Sequence, residues 1–532
     1  MTRTTTRARA ATRGIGASLL AAAAIFALSG CTLITTLAGP GTSGGGGPQE
    51  DAQLVPTGLE PSIQAYYEQD LDWGDCGNGR ECATAEAPMN WGDGSSEKIE
   101  LAMVKVPAAS GNPLGTIFTN PGGPGASGIS FVRDSAEYVF TPELMDDFDI
   151  VGWDPRGVGE SSAVDCRDDA GMDEWFYGVD EELDAETATD QQIIDAVTAN
   201  SKEFADDCLE NTGALLEFVD TKSTVKDLDM MRALVGDPKV NYFGFSYGTD
   251  IGAQYIDMFP ETVGRVVLDG ATDPTLSTFE VVLAQQGAFG EATRTYLEDC
   301  LTTTSCPFTG SVDDAIAKIN ALMAEADDTL PNNADGRKLT SSVIDTAISS
   351  ALYNDQSWPY LSEAFAAYEA TGDPAGFFAL SDSYYGREPD GTYADNMFEA
   401  FTAINCLDYP VETDPAKIAD FNRQIAESTP IGIPGPEALG DTTCQQWAFP
   451  STNELAPVTG AGADPVLIIG TTGDPATPYA WAEAVTEQLE SATLVTFEGE
   501  GHLAYTQGDS CVTGAVDAYF IDGTVPAEGL VC

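Results

Sequence analysis

Two hydrophobic rhythms alternate along the first half of the chain. Residues 98–106 carry Ile99, Leu101, Met103, Val104 and Val106 in a largely alternating pattern, which predicts a strand. Residues 115–119, 148–153 and 263–268 are short apolar runs of the kind that a strand covered on both faces requires. Between them, residues 224–235 place Val225, Leu228, Met231, Leu234 and Val235 at helical spacing, and Gly236-Asp237-Pro238 closes that helix. An acidic, helical excursion is expected up to about Cys208. From residue 276 to residue 456 the rhythm changes: segments 312–324, 342–353, 360–368, 397–404 and 415–426 repeat apolar residues every three or four positions, and strand signals are few. Strand character returns at residues 466–470 and 494–497.

Strands alternating with helices predict an open, mostly parallel sheet with ligands over the carboxyl ends of its strands. The expected core therefore comes in two parts, residues 53–275 and 457–532, with residues 276–456 as a mainly helical cap insertion.

The amino terminus does not fit this rhythm. Arg3, Arg7, Arg9 and Arg13 precede an alanine-rich apolar stretch, residues 15–28, that is short for a membrane span. It ends in Leu28-Ser29-Gly30-Cys31, which resembles a bacterial lipobox. Residues 1–30 are thus expected to be a lipoprotein signal peptide, with Cys31 lipidated. Residues 31–52, rich in Gly, Thr, Ser and Pro, would tether the anchor to the folded body. The expected location is the extracytoplasmic face of the cell membrane, with some release possible for such a tethered protein.

The candidate chemistry lies where predicted strands end. Gly-Phe-Ser-Tyr-Gly at residues 244–248 follows an apolar run that includes Val240, Tyr242 and Phe243, and precedes a helix-compatible stretch. A strand that reverses into a helix within so few residues leaves no room for side chains two positions before and after the serine, and exposes Ser246 Oγ. A plain glycine-rich turn would read the same way if it stood alone. Asn120-Pro121-Gly122-Gly123-Pro124-Gly125, also after a strand, can turn amides toward an oxyanion; Gly122 or Gly123, with Tyr247, are the candidate donors. His502 is the only histidine in the chain, so imidazole base chemistry has a single possible source. Asp474 follows the strand at 466–470 and completes the order Ser, Asp, His; Asp269 is the competing acid. Arg156 and Asp154, in Asp-Pro-Arg-Gly-Val-Gly-Glu-Ser at 154–161, are expected to pair and stiffen a turn beneath the site.

Composition narrows the function. Lys and Arg total 23 against 85 Asp and Glu, a net charge of −62. A field of that sign repels nucleic acid and anionic headgroups, so no nucleic-acid partner is expected. Some of the acids could instead attract a peptide's free amine, and Asp408 is the candidate. Apart from Cys31 there are ten cysteines with no Cys-x-x-Cys pair, so disulfides are favoured over a metal site, and no cofactor is expected. Ten cysteines allow about 945 pairings. Joining sequential neighbours closes the shortest loops and gives Cys76–Cys82, Cys166–Cys208, Cys300–Cys306, Cys406–Cys444 and Cys511–Cys532.

Five ordered motifs carry a family resemblance: Pro-Gly-Gly-Pro-Gly at 121–125, the motifs at 154–161 and 244–248, Gly-Asp-Pro-Ala-Thr-Pro at 473–478, and Gly-Glu-Gly-His at 499–502. Together they resemble the tripeptidyl aminopeptidase branch of the prolyl-aminopeptidase-like α/β-hydrolases, from about residue 59 to residue 532. The resemblance implies an α/β-hydrolase fold with a helical cap. It also implies a serine exopeptidase that uses Ser246, Asp474 and His502, with peptide substrates and no cofactor. Pro121 stands where prolyl aminopeptidases commonly have histidine, which points away from strict proline release. The alternatives are a carboxylesterase or lipase on the same fold, or a non-catalytic binding lipoprotein. Oligomeric state has no sequence signal.

Overall fold

The computed structural model describes residues 54–179, 188–432 and 435–532. The expected signal peptide, Cys31 and the tether lie outside them. No helix among the described residues is long and apolar enough to cross a membrane.

The strands are β1 (Gly74–Gly77), β2 (Arg80–Pro88), β3 (Lys98–Val106), β4 (Thr116–Asn120), β5 (Asp149–Trp153), β6 (Val240–Phe245), β7 (Val263–Asp269), β8 (Val466–Gly473), β9 (Ala492–Glu500) and β10 (Leu530–Val531). They form one sheet in the order β1-β2-β3-β5-β4-β6-β7-β8-β9-β10. The first three strands and the β3–β5 pair run antiparallel; every pair from β5 to β10 is parallel. This is an α/β-hydrolase sheet.

Alternation along each strand sorts side chains into two apolar layers. Leu101, Met103, Tyr242, Val466 and Ile468 enter one layer, with the helices Thr221–Leu234, Gly248–Met258 and Tyr479–Gln488. Ala102, Val104, Phe243, Leu467 and Ile469 enter the other, with Gly128–Val139 and Ser510–Asp522. Both faces are dry, and so the central strands read as nearly continuous hydrophobic runs.

Between β7 and β8 the described chain forms helices, including Thr278–Cys300, Val312–Thr329, Ser341–Leu352, Trp358–Thr371, Ala375–Tyr385, Met397–Asp408 and Pro415–Ser428. Most of these share a separate apolar cluster that includes Leu297, Ile319, Ile344, Leu361, Phe365 and Phe377. Met397–Asp408 instead packs Ala400, Ala403, Ile404 and Leu407 into the cluster beside the sheet. That helix is where the inserted region is seated on the core. Disulfides close Cys76–Cys82, Cys166–Cys208, Cys300–Cys306, Cys406–Cys444 and Cys511–Cys532.

The expected Arg156–Asp154 pair is corrected. Arg156 is fully buried and forks onto Asp227, with Nε and Nη2 each 2.7 Å from a carboxylate oxygen. Its Nη1 donates to the carbonyls of Met89 and Phe218. Asp154 faces the other way: its carboxylate accepts from Ser127 Oγ at 2.6 Å and from the amides of Ile129 and Glu160. Ser127 caps the helix Gly128–Val139, so Asp154 fastens the end of the glycine loop while Arg156 fastens the helix Thr221–Leu234. Arg156→Met would strand the Asp227 carboxylate in a dry interior with only the Trp91 Nε1 donor left. The expected loss is about 3–5 kcal/mol, read as a lower midpoint in denaturant unfolding at neutral pH.

Candidate active site

Ser246 ends β6 with φ at +53°, a left-handed value that a non-glycine residue adopts only under constraint. The constraint is steric. A methyl group on Gly244 would lie 2.4 Å from the Gly248 carbonyl oxygen, and one on Gly248 would lie 2.5 Å from that of Asn120. Both positions require glycine, and the serine amide is pinned to the Asp269 carbonyl at 2.9 Å. The helix Gly248–Met258 begins immediately after the turn.

The glycine loop sits against this turn. A methyl on Gly122 would come within 2.8 Å of Ser246 Cβ and 3.1 Å of the Tyr247 amide nitrogen. Of the two candidate loop donors, Gly122 is already committed: its amide donates to Asn120 Oδ1 at 2.9 Å. Gly123 and Tyr247 have no such acceptor among the described residues. Asn120, which sequence reasoning passed over, holds the loop; an Asn two residues before the bonded amide is the Asx-turn signal that could have flagged it.

His502 and Asp474 meet at the ends of β9 and β8. Imidazole Nδ1 is 2.9 Å from both carboxylate oxygens, with the histidine side chain 8% exposed and the aspartate fully buried. Asp474 is held in turn by the amides of Ala476, Thr477 and Leu503 and by Thr477 Oγ1 at 3.0 Å. With so many donors fixing the carboxylate, Nδ1 carries the proton and Nε2 is left for the substrate side. Ser246 and His502 converge on one segment: Asp269 accepts the serine amide, and a methyl on Gly270 would lie 3.4 Å from imidazole Cε1.

Asp269, the competing acid, does not pair with the imidazole. Its carboxyl accepts the amides of Ala504 and Tyr505, just past His502. Burial, with a smaller contribution from the Asp474 charge, pushes it up to about 7. A carboxyl raised in the folded state binds its proton more tightly there than in the unfolded chain. Its contribution to stability is therefore greatest below about pH 4 and is lost as pH rises to about 7. Asp269→Asn is expected to flatten the fall in melting temperature across that window, measured by thermal unfolding against pH.

Asp408, the candidate for a peptide's free amine, ends the helix Met397–Asp408. It is 8% exposed, and its two oxygens accept the Thr221 amide at 2.9 Å and Thr221 Oγ1 at 2.6 Å. Burial holds its pKa well above the usual carboxylate range. Thr221 Oγ1 also meets the Tyr247 hydroxyl at 2.5 Å, so Asp408 braces the inserted helix against the back of the serine turn.

The inserted helices roof the site. Met397 Cε and its carbonyl lie against Gly123 and Gly125, and Tyr353 meets the imidazole edge-to-face at 5.2 Å. Tyr384, Phe398 and Phe401 continue from Tyr353 toward the glycine loop in successive ring contacts.

A serine on a strained strand-to-helix turn, with a buried aspartate–histidine pair delivered by later strands, defines a serine hydrolase of the α/β-hydrolase class. A family model described as TAP-like protein matches residues 435–532. The chain is 34% identical over 475 residues to serine protease Hip1 of Mycobacterium tuberculosis, covering 85% of this chain and 87% of that protein. It is 34% identical over 456 residues to carboxylesterase B of the same organism, covering 85% and 86%. To the tripeptidyl aminopeptidase of Streptomyces coelicolor it is 27% identical over 481 residues, covering 87% and 86%. The chain belongs to the tripeptidyl-aminopeptidase-like family of α/β-hydrolases, and it is a serine hydrolase of peptidase type.

Proposed function

We propose that this enzyme is an exported, lipid-anchored serine exopeptidase that releases short peptides, tripeptides foremost, from free N-termini through an acyl-enzyme on Ser246. The observation that carries the catalytic part is the Asp474–His502 pair, which leaves Nε2 unengaged beside the segment that also holds the serine turn. His502 takes the Ser246 proton as Oγ attacks the scissile carbonyl. Asp474 stabilises the imidazolium, and the Tyr247 and Gly123 amides receive the oxyanion, each donor worth about 3 kcal/mol in the transition state. The imidazolium then protonates the departing amine, and water repeats the sequence on the acyl-enzyme.

Two relatives named as a serine protease and a tripeptidyl aminopeptidase support peptide substrates, and a roof over the serine suits chain ends better than loops of folded proteins. The second reading, a carboxylesterase, has the support of carboxylesterase B at the same 34% identity. A panel of di-, tri- and tetrapeptide amides, free and N-acetylated, together with short acyl esters, separates them. An exopeptidase loses turnover on acetylation and favours one length; indifference to acetylation with esters far ahead of amides would establish the carboxylesterase. The anchor on the extracytoplasmic face rests on Cys31, and Cys31→Ala should abolish incorporation of labelled fatty acid.

A further inference from the structure

The loop that carries His502 is held partly by Gln507, whose Nε2 donates to the carbonyls of Glu500 and Leu503, and otherwise from outside. Gly501 has φ at +91° and Leu503 at +70°, so a non-glycine residue stands in the left-handed region directly after the histidine. Such a conformation persists only where neighbours impose it. Most of the tethers come from the core: Gly501 N to Gly473 O at 3.2 Å, Leu503 N to Asp474, and the amides of Ala504 and Tyr505 to Asp269. The His502 amide is the exception. It donates at 2.8 Å to the carbonyl of Tyr353, which belongs to the inserted helical region.

Tyr353 immediately follows the helix Ser341–Leu352, whose Val343, Ile344, Ala347, Ile348 and Ala351 are buried in the inserted region's own apolar cluster. Its ring stands edge-to-face with the imidazole, 5.2 Å between centroids and 84° between planes. It also contacts Phe289 at 6.0 Å and Tyr384 at 6.1 Å. Gly501 must be glycine for the approach: a methyl there would lie 2.9 Å from the Tyr353 carbonyl oxygen. Asp474 fixes Nδ1 but not rotation of the ring about that bond; a rigid aromatic wall on one side restricts that rotation.

We propose that Tyr353 is a positioning residue for the base, so that the inserted helices aim His502 Nε2 as well as roofing the substrate. This rests on the reading of Ser246 and His502 as nucleophile and base. The ring contact keeps the imidazole from rocking, and the carbonyl contact couples its backbone to the seating of the roof.

The test uses the whole folded enzyme with two probes too small to depend on the roof for binding: a fluorophosphonate that labels Ser246, and p-nitrophenyl acetate. Tyr353→Leu should slow labelling and lower kcat at least tenfold with KM within twofold, while Tyr353→Phe, which keeps the ring, should restore most of the rate. Phe289→Leu disturbs the same packing without touching His502 and should stay within twofold of wild type; melting temperatures are taken for all three. The proposal is overturned if Tyr353→Leu stays within twofold, if only KM changes, if Tyr353→Phe loses as much, or if Phe289→Leu falls equally. Labelling that survives in His502→Gln or Ser246→Ala would instead overturn the underlying catalytic reading, whatever Tyr353 does.

Discussion

His502→Gln is expected to lower kcat by about 10⁶, the scale on which loss of a base or nucleophile acts when serine, histidine and acid work as a unit. The reason is specific to this chain: its only histidine is His502, so no second imidazole stands by to replace it. Glutamine retains polarity and much of the volume in a position that is 8% exposed, and the fold should survive. Steady-state turnover of a peptide amide, with the melting temperature as control, checks this. Ser246→Ala should fall as far. The double variant should fall no further than either single one, because each change removes the same step. A histidine variant within tenfold of wild type would end the proposed mechanism.

Asp474→Asn is expected to cost about 10⁴ in kcat. The carboxylate accepts from three amides, the Thr477 hydroxyl and imidazole Nδ1. An asparagine presents two donors in place of one acceptor oxygen, and in this ring of donors it would face either a backbone amide or Nδ1–H. The imidazole relieves that clash by moving its proton to Nε2, the nitrogen needed as acceptor. Activity should therefore fall with little change in KM. Asp269→Asn is the contrast: its partners are the amides of Ala504 and Tyr505, so the same chemical change there acts on stability and loop position.

What could be read from the sequence follows from how local each signal was. β3 spans residues 98–106 as its alternation indicated, and the serine turn declared itself through its flanking glycines, where an added methyl would meet a backbone oxygen at less than 3 Å. β2 was missed: its inward residues are Ala83, Ala85 and Ala87, which alternate correctly but carry little hydrophobic contrast or strand preference. The helix Thr278–Cys300 lies in the stretch expected to be mainly helical, but its start is marked by the capping box of Ser277 and Glu280, a signal that apolar periodicity does not register. Arg156 has a partner 71 residues away, and no local pattern distinguishes Asp227 from the nearer Asp154. Asp408 was chosen for its charge; its burial against Thr221 depends on how the helix Met397–Asp408 docks, which is a property of tertiary packing. Thr477 and Tyr353 matter through contacts made after folding and leave no local signature, whereas Asn120 carries the Asx-turn spacing to Gly122.

The sheet is built from two stretches of chain that are far apart in synthesis: β7 ends at Asp269 and β8 begins at Val466. The strained serine belongs to the earlier stretch, while Asp474 and His502, its proposed partners, arrive with the later one. A growing polypeptide thus carries the serine without its proposed partners for about half of its own production. In the proposed mechanism the serine therefore has no base until the last part of the molecule has joined the sheet.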